Sequence, residues 1–378
     1  MRIALDGRSL SSEPTGISNF TLNALNALSK DNKNKIFIFS HKEINNTILK
    51  RLSFKNRNVF IVVKPLFFLK NIGILWFLMK FPFLIRFGNF DILWGPGQVL
   101  PPSFLTGKIK RMVTIHDLVF KFYVKTMSLY SRIENFIFTS RTIKNADFIW
   151  CVSDYTSNEL MRHFPHRKAK DIFVGSGIDN TIFKKICFNE LEKKKIREKY
   201  QIKGLTMVFV GTLEPRKNLS FLLSLMPILS GKGISLIVIG GKGWGNVKDL
   251  LYNVNNEQHS SIVKFLGYVS TDSLVEIYNV ADILISTSLN EGFGLPLLEA
   301  MACGCPVVAP HNSAMIEIVS GFGTTIVGWD KDEWVSGIIS TIKNRDEIIK
   351  KLESKVSQYN WQFIVKELNF YINKGFNF

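Results

Sequence analysis

The sequence predicts an α/β protein built from two doubly wound parallel sheets in tandem. Short apolar runs alternate with stretches that repeat apolar residues at helical spacing, and this alternation stops and restarts once along the chain. The length of 378 residues exceeds the roughly 250 to 300 residues at which a single hydrophobic core stops growing. Each half can therefore form its own domain, with ligands expected at the carboxyl ends of the strands.

Apolar runs in both halves predict the strands. In the first half they are "RIALD", "KIFIFS", "VFIVV", "DILWG", "RMVTIHD" and "DFIWCVS", and "ISNFTLNALNALSK" is the first helix. In the second half they are "TMVFVGT", "SLIVIGG", "VKFLGYV", "DILISTS" and "PVVAP". We place the boundary near Ser176, where a strand-like run gives way to a charged segment. The predicted domains are residues 1–175 and 176–357, and residues 358–378 form a last helix that packs back on the first domain.

The basic charge is concentrated in the first half. The formal net charge is +17; residues 1–170 contain 26 basic and 10 acidic residues, whereas residues 171–378 contain 22 and 21. A lysine bias spread evenly along the chain would give both halves the same excess of basic residues. The asymmetry predicts that the first half meets an anionic partner, such as a membrane surface, a nucleic acid or a phosphorylated acceptor.

The four cysteines, Cys151, Cys187, Cys303 and Cys305, are too few and too scattered for a disulfide framework. Cys303 and Cys305 lack the second pair of ligands that a zinc site needs. A reducing compartment is therefore expected. Asp6 interrupts the first apolar run, so no export signal is expected.

Residues 64–88, "KPLFFLKNIGILWFLMKFPFLIRFG", are rich in Phe and Leu. Lys70, Lys80 and Arg86 interrupt the segment, so it lacks the about 20 uncharged residues of a membrane span. Two interpretations stay open. The segment is either a helix that covers the first sheet or lies partly in a membrane interface with its cations toward the headgroups.

The segment "STSLNEGFGLPLLEAMAC" predicts a strand end, a glycine-rich turn and a helix with Pro296 in its first turn. Backbone N–H groups of Gly292, Phe293 and Gly294 are expected to face an anion at the positive end of that helix. Glu291 and Glu299 can accept hydrogen bonds from sugar hydroxyls. The alternative is an ordinary turn with a solvated and a helix-stabilising glutamate.

A second strand–turn–helix, "VFVGTLEPRKNLSFLLSL", places Arg216 and Lys217 just before the helix. Two cations at a strand's carboxyl end can neutralise a diphosphate without a metal ion. The alternative is a pair of solvated cations before a helix capped by Asn218.

These motifs carry a family resemblance. "GTLEPRKNL" and "NEGFGLPLLEAMACGCPVVA" closely resemble the family 4 retaining glycosyltransferases, whose signature pairs two glutamates eight residues apart, here Glu291 and Glu299. The similarity extends to "RIALDGRSL", "TGISNFTLNAL", "VTIHDLVF", "ADFIWCVSDYTSNEL" and "NWQFIVKEL". It implies the GT-B fold, in which two Rossmann-like doubly wound domains face a central cleft, with the acceptor in the N-terminal domain and the nucleotide sugar in the C-terminal one.

The resemblance implies a role for each site residue. Arg216 and Lys217 would bind the donor diphosphate and stabilise it as it leaves, and Glu299 would hold the ribose hydroxyls. Glu291 and the backbone of Gly292, Phe293, Gly294 and Leu295 would hold the donor sugar. Gly16 would let the first helix approach the phosphate, and His116 would lie against the transferred sugar. A histidine capped or packed at a strand end is the alternative for His116.

The resemblance also implies the reaction. We expect retaining hexosyl transfer without a metal or other cofactor, with GDP-mannose as the first choice of donor and a UDP-hexose as the second. The acceptor would be a lipid-linked or oligosaccharide glycan of surface polysaccharide or O-antigen biosynthesis, carried on a polyprenyl diphosphate. The protein would be cytoplasmic and peripheral on the inner face of the membrane, drawn there by its basic first half. No nucleic-acid partner is expected.

Three rival interpretations are weaker. The "DKD" at Asp330 could bind a metal in a one-sheet glycosyltransferase, but it opens a predicted helix and fits an N-cap better. The first strand is not followed by the glycine pattern of a dinucleotide site, and "GGKGWG" after Ile239 has no matching acid. A basic module that binds membrane or nucleic acid without catalysis would not explain the acids of the second half.

Overall fold

The computed structural model of the protein describes residues 1–52, 58–65, 73–122, 135–241, 243 and 262–376. The chain divides into two compact units. The first combines Met1–Gly177 with Asn360–Phe378, and the second is Ile178–Tyr359. Each unit is built around its own parallel sheet.

The sheet of the first unit has seven parallel strands among the described residues. They are β1 (Arg2–Asp6), β2 (Lys35–Ser40), β3 (Val59–Val63), β4 (Ile92–Gly95), β5 (Lys110–Ile115), β6 (Phe148–Cys151) and β7 (Ile172–Val174). Their order is β3-β2-β1-β4-β5-β6-β7. The order reverses between β1 and β4, as in doubly wound folds.

Helices of the first unit connect these strands. They are α1 (Gly16–Leu28), α2 (Asn46–Arg51), α3 (Gly73–Leu75), α4 (Phe81–Arg86), α5 (Ser103–Thr106), α6 (Val119–Phe122), α7 (Ser140–Asn145) and α8 (Asp154–His163). Wider helical turns cover Trp76–Lys80 and Asn135–Thr139. The first helix starts where Thr15 and Ser18 form a reciprocal capping box, which satisfies two otherwise unpaired backbone N–H groups.

The described part of the segment 64–88 covers the first sheet. Trp76, Phe77, Phe81 and Ile85 are buried in a core with residues of β4, β5 and β6. Residues 66–72, which include Lys70, lie outside the described residues. None of the helices in the described ranges is long and apolar enough to cross a membrane.

The sheet of the second unit has six parallel strands within the described ranges. They are β8 (Leu205–Val210), β9 (Ile234–Ile239), β10 (Val263–Gly267), β11 (Ile283–Ile285), β12 (Val307–Pro310) and β13 (Thr324–Ile326). Their order is β10-β9-β8-β11-β12-β13. Met207 and Phe209 enter one core and Val208 the other, so both faces of the sheet are covered.

Helices flank this second sheet as well. They are α9 (Glu190–Lys199), α10 (Leu219–Ser230), α11 (Thr271–Val280), α12 (Leu295–Ala302), α13 (Met315–Val319), α14 (Lys331–Lys343) and α15 (Arg345–Val356). The side chain of Asp330 accepts hydrogen bonds from the backbone N–H groups of Asp332 and Glu333 at the start of α14. The predicted N-cap function of "DKD" is therefore confirmed.

The last helix, α16 (Trp361–Phe376), belongs to the first unit. Its Trp361 ring packs edge-on against Phe20 of α1 at 5.2 Å and against Trp150 of β6 at 6.3 Å between ring centroids. Leu368 and Ile372 are fully buried. The chain thus returns to complete the core of its first unit.

Candidate active site

The predicted site in the second unit lies where the strand order reverses. Strands β8 and β11 are neighbours at the centre of the sheet. The strands that follow them in sequence, β9 and β12, lie on opposite sides of this pair. Arg216 and Lys217 follow β8, and Glu291 follows β11. Because the strands are parallel, both loops emerge at the same edge, which is the usual ligand position in such sheets.

The loop after β8 is a short 3-10 turn over Pro215–Lys217. Asn218 follows it in the left-handed conformation, with φ 51°, and begins α10 without a side-chain capping bond. The alternative of solvated cations before a helix capped by Asn218 is therefore wrong. The side chains of Arg216 and Lys217 are only 16% and 13% exposed.

The carboxylate of Glu291 holds both cations. Arg216 Nη1 donates to Glu291 Oε2 at 3.2 Å, and Lys217 Nζ donates to Oε1. The hydroxyl of Ser288 donates to the same Oε1 at 2.5 Å. The alternative of a solvated glutamate is thus wrong for Glu291, whose side chain is 14% exposed.

Further bonds fix the Arg216 guanidinium. Its Nη2 donates to Glu214 Oε1 at 2.6 Å, and its Nη1 donates to the carbonyl oxygen of Asn290 at 2.6 Å. The backbone N–H of Leu289 donates to the Arg216 carbonyl at 2.8 Å. These hydrogen bonds connect the loop after β8 to the loop after β11.

The electrostatics of Glu291 follow from this pairing. Burial alone would raise the pKa of its carboxyl, but the charges of Lys217 and Arg216 and the hydrogen bonds from Lys217 and Ser288 outweigh burial and lower the pKa to about 2. Glu291 is therefore ionised at every physiological pH. A group in this state accepts hydrogen bonds and does not donate a proton.

The turn before α12 requires glycine at one position. Gly294 has φ 96°, in the left-handed region, and a Cβ there would lie 3.2 Å from the Leu297 side chain. Pro296 lies in the first turn, as predicted. The backbone thus turns sharply and points the start of the helix, with its positive dipole end, toward the edge where the cations lie. The Phe293 ring packs edge-on against Tyr359 at 5.6 Å, and Leu295 is the first residue of α12.

Glu299 lies one turn into α12 and is 6% exposed. Tyr278 of α11 lies beside it. Burial raises the pKa of the Tyr278 phenol well above its usual value, and the charge of Glu299 raises it further, so the phenol stays protonated. A neutral phenol therefore lies next to the Glu299 carboxylate.

Sequence reasoning missed several residues that support the site. Ser288, Ser313, Glu214 and Tyr278 carry no motif that separates them from ordinary polar residues. Ser313 has φ 49°, and its hydroxyl accepts the backbone N–H of Glu291 at 3.0 Å. The sequence "HNS" directly after β12 could have indicated Ser313, because it places this residue at the same carboxyl edge of the sheet.

Gly16 and His116 lie in the first unit. Gly16 is the first residue of α1, and a Cβ there would meet no atom within 4 Å among the described residues. His116 follows β5, and its Nε2 lies 2.7 Å from the carbonyl oxygen of Pro96. Since a carbonyl oxygen only accepts, Nε2 carries the proton. Burial lowers the pKa of His116, against the Pro96 bond and the Asp117 charge, which raise it, so the imidazole is neutral.

The described residues contain no group of three or more His, Cys, Asp or Glu side chains that could hold a metal ion. All four cysteines are free thiols, with Cys151, Cys303 and Cys305 buried and Cys187 exposed. The positive charge in the described part of the site comes from Arg216 and Lys217.

Comparisons with known proteins identify the family and the fold. The sequence model described as Glycosyltransferase Family 4 matches residues 14–181, and the one described as Glycosyl transferases group 1 matches residues 192–361. Anabaena HepE, solved in complex with UDP and glucose, superposes with a TM-score of 0.76 at 17% identity, covering 99% of this chain and 100% of that one. The two units therefore form the GT-B fold of glycosyltransferases. The chain belongs to glycosyltransferase family 4.

Curated relatives match part of the chain. An O-antigen chain mannosyltransferase B of Escherichia coli is 28% identical over 230 residues, which are 58% of this chain and 59% of that protein. An uncharacterised glycosyltransferase of Methanocaldococcus jannaschii is 33% identical over 169 residues, 43% of each chain. The chain thus spans about half the length of these relatives.

Proposed function

We propose that the protein is a metal-independent, retaining hexosyltransferase that binds its nucleotide sugar in the second unit. The observation that carries this proposal is the pairing of Arg216 and Lys217 with Glu291 at the carboxyl ends of β8 and β11. Two fixed cations at this edge offer charge to a diphosphate before the reaction begins, which is the condition for electrostatic stabilisation of a leaving group.

The proposed reaction uses these residues, and its front-face course rests on the likeness to family 4 glycosyltransferases. The bond between the sugar C1 and the diphosphate oxygen breaks, and its electron pair leaves with the diphosphate, whose new charge Arg216 and Lys217 stabilise. The acceptor hydroxyl attacks C1 from the same face and gives its proton to the leaving phosphate oxygen. Glu291 and the backbone from Gly292 to Leu295 hold the donor sugar, and Glu299 holds the ribose hydroxyls.

We propose GDP-mannose as the donor and a polyprenyl-diphosphate-linked glycan at the inner face of the cytoplasmic membrane as the acceptor. The likeness to an O-antigen mannosyltransferase supports mannose. The complex of HepE with UDP and glucose supports a UDP-hexose as the second candidate. The excess of basic residues in residues 1–170 supports an anionic, membrane-bound acceptor.

A donor screen tests the proposal. Release of GDP or UDP from a panel of nucleotide sugars is measured for the full chain, with and without EDTA. We expect GDP release from GDP-mannose, undiminished by the chelator and abolished by Glu291→Gln. Glu190→Gln, a side chain that is 90% exposed in the same unit, is the matched control. Activity that needs added Mg²⁺ or Mn²⁺ would contradict the metal-free mechanism.

The same variant separates catalysis from a non-catalytic basic module. If Glu291→Gln keeps binding to anionic surfaces but loses nucleotide release, the protein is an enzyme. If the wild-type chain binds such surfaces and turns over none of the nucleotide sugars, the module interpretation is favoured instead.

A further inference from the structure

A third loop of the second unit reaches Glu291. Residues 311–314, which we name the β12 loop, directly follow β12. Strand β12 pairs with β11, so the β12 loop emerges beside the loop that carries Glu291. The Ser313 hydroxyl accepts a hydrogen bond from the backbone N–H of Glu291 at 3.0 Å, and the Ala314 N–H donates to the Glu291 carbonyl oxygen at 3.3 Å. The β12 loop therefore bonds both backbone polar groups of Glu291.

Other hydrogen bonds fix the β12 loop itself. The backbone N–H of His311 donates to a carbonyl oxygen of β13 at 2.7 Å. The Ser313 hydroxyl donates to Asn312 Oδ1 at 2.9 Å, and Asn312 Nδ2 donates to the carbonyl oxygen of Ser288 at 3.4 Å. Because a hydroxyl has one proton, this donation leaves its lone pairs for the N–H of Glu291. The hydrogen bonds on both sides thus determine the direction of the Ser313 hydroxyl.

Ser313 has a backbone conformation that serine rarely adopts. Its φ of 49° lies in the left-handed region, where a Cβ crowds the following carbonyl oxygen and glycine is the usual residue. Glycine would relieve this strain, but it has no hydroxyl to accept the N–H of Glu291. Strained backbone persists where the surrounding structure maintains it, and it clusters at functional sites. The strain at Ser313, together with its bond to Glu291, therefore points to a function of the hydroxyl.

The position of the Glu291 backbone affects both parts of the proposed sugar site. The carboxylate of Glu291 accepts hydrogen bonds from Arg216, Lys217 and Ser288. The backbone of Glu291 leads directly into the glycine-rich turn of residues 292–294. A shift of this backbone would displace the carboxylate and the turn together. Since a displacement of about 1 Å at a reacting centre can lower the rate about 100-fold, a small shift would be enough to slow catalysis.

We propose that Ser313 is a positioning residue for the transferred sugar. Its hydroxyl fixes the backbone of Glu291, so that the carboxylate and the following turn meet the donor sugar in the reacting geometry. Ser313 acts through Glu291 and not on the reacting bond. The inference rests on the proposed function, in which Glu291 and the turn hold the donor sugar. It requires that turnover depends on the hydroxyl, whereas binding of the nucleoside diphosphate does not.

The variant Ser313→Gly separates positioning from stability. It should unfold near the wild-type temperature, because the relieved strain offsets the lost hydrogen bond. Its kcat for nucleotide release from the donor identified in the screen should nevertheless fall about 10- to 100-fold, with little change in KM. Affinity for the nucleoside diphosphate, measured by calorimetry, should stay at the wild-type value, because Arg216 is also fixed by Glu214 and Asn290.

Two further variants serve as controls. Ser313→Thr keeps the hydroxyl, but its β-branched side chain fits the left-handed region worse than serine does. It should lose thermal stability and yet turn over faster than Ser313→Gly. Gln201→Gly is the matched control for relief of strain: Gln201 has φ 54°, is exposed, and lies just after α9 in the same unit. This variant should keep the wild-type kcat.

A purely structural role would rank the Ser313 variants by their stability, whereas the positioning role reverses that order. Wild-type kcat in Ser313→Gly would overturn the proposal, and so would a folded Ser313→Thr variant that is as slow as Ser313→Gly. Amide hydrogen exchange adds a readout besides activity: the peptide that contains Glu291 should exchange faster in Ser313→Gly than in the wild type. Unchanged exchange would contradict the proposed effect on the Glu291 backbone.

Nucleotide release also separates this proposal from the proposed function. A wild-type chain that releases no nucleotide from any donor in the panel overturns the proposed function, and the role of Ser313 with it. An active wild-type chain with an equally active Ser313→Gly variant overturns the positioning role alone and leaves the enzyme intact.

Discussion

Glu291 links two loops through one carboxylate, and its charge state determines what the site can do. The cations at Arg216 and Lys217 would repel each other if Glu291 were neutral, because all three side chains are largely removed from solvent. Removing one partner of a buried ion pair leaves an uncompensated charge, which costs more than the pair itself contributes. Glu291, which we propose to hold the donor sugar, therefore also stabilises the fold.

Glu291→Gln should remove a part of the protein's stability that depends on pH in a defined window. The native pKa of Glu291 is about 2, below the ordinary 4.5. A lowered native pKa adds stability above the ordinary value, and that stability is lost as the pH falls from 4.5 toward 2; the full contribution is about 3 kcal/mol. Denaturant unfolding at several pH values should show a constant difference between wild type and variant at neutral pH that shrinks below pH 4.5. A difference that stays the same in acid would contradict this assignment.

Lys217→Gln should weaken binding of GDP and UDP. One charged hydrogen bond to a diphosphate is lost, which predicts a decrease of about 10- to 100-fold in affinity, measured by calorimetry. The salt dependence of the remaining affinity should also fall. Lys232→Gln, an exposed lysine of the same unit, should change neither quantity. Unchanged affinity in Lys217→Gln would remove this residue from the diphosphate site.

Sequence motifs predicted the identity of these side chains but not their contacts. Arg216, Lys217 and Glu291 were expected to face a ligand, and within this structure they bind one another. Such pairing depends on which strands are neighbours, and nothing local in "EPRKN" or "NEGFG" states that β8 lies beside β11. Ser313 and Tyr278 were missed for the same reason, since each acts on a residue distant in sequence.

At the scale of elements, strands were predictable where apolar runs are buried on both faces, as in β8 (Leu205–Val210). The edge strand β13 (Thr324–Ile326) lacked such a run because it pairs with β12 alone, and its two threonines are half-buried. Strand order could not be predicted from residues at all. It is set by how each crossover helix packs, which involves residues of several elements at once.

Gly294→Ala should test the turn that begins α12. A residue with a Cβ at φ 96° costs about 1–2 kcal/mol in the left-handed region, and the displaced turn should also weaken donor binding. Gly233→Ala is the matched control: its φ is 76°, its surroundings are open, and it lies at the start of β9, away from the site. It should lose similar stability by thermal unfolding yet bind GDP normally. Equal donor affinity in both variants would argue against a role of this turn in binding.

At the scale of the whole molecule, the chain forms two units with separate cores, and the last helix returns to the first. Units with their own cores can unfold independently. Because the proposed donor site lies within the second unit, a nucleoside diphosphate should stabilise that unit alone. At a concentration of 100 times its Kd the added stability is about 2.7 kcal/mol.

Calorimetry should therefore show two thermal transitions, of which GDP or UDP raises one. Leu368→Ala, in α16, removes a fully buried side chain from the first unit and should lower the transition that nucleotide does not move, by about 2–5 kcal/mol of stability. Ile338→Ala, equally buried in α14 of the second unit, should lower the transition that nucleotide raises. If Leu368→Ala instead lowers the nucleotide-sensitive transition, the two cores are coupled and the donor site is not confined to the second unit.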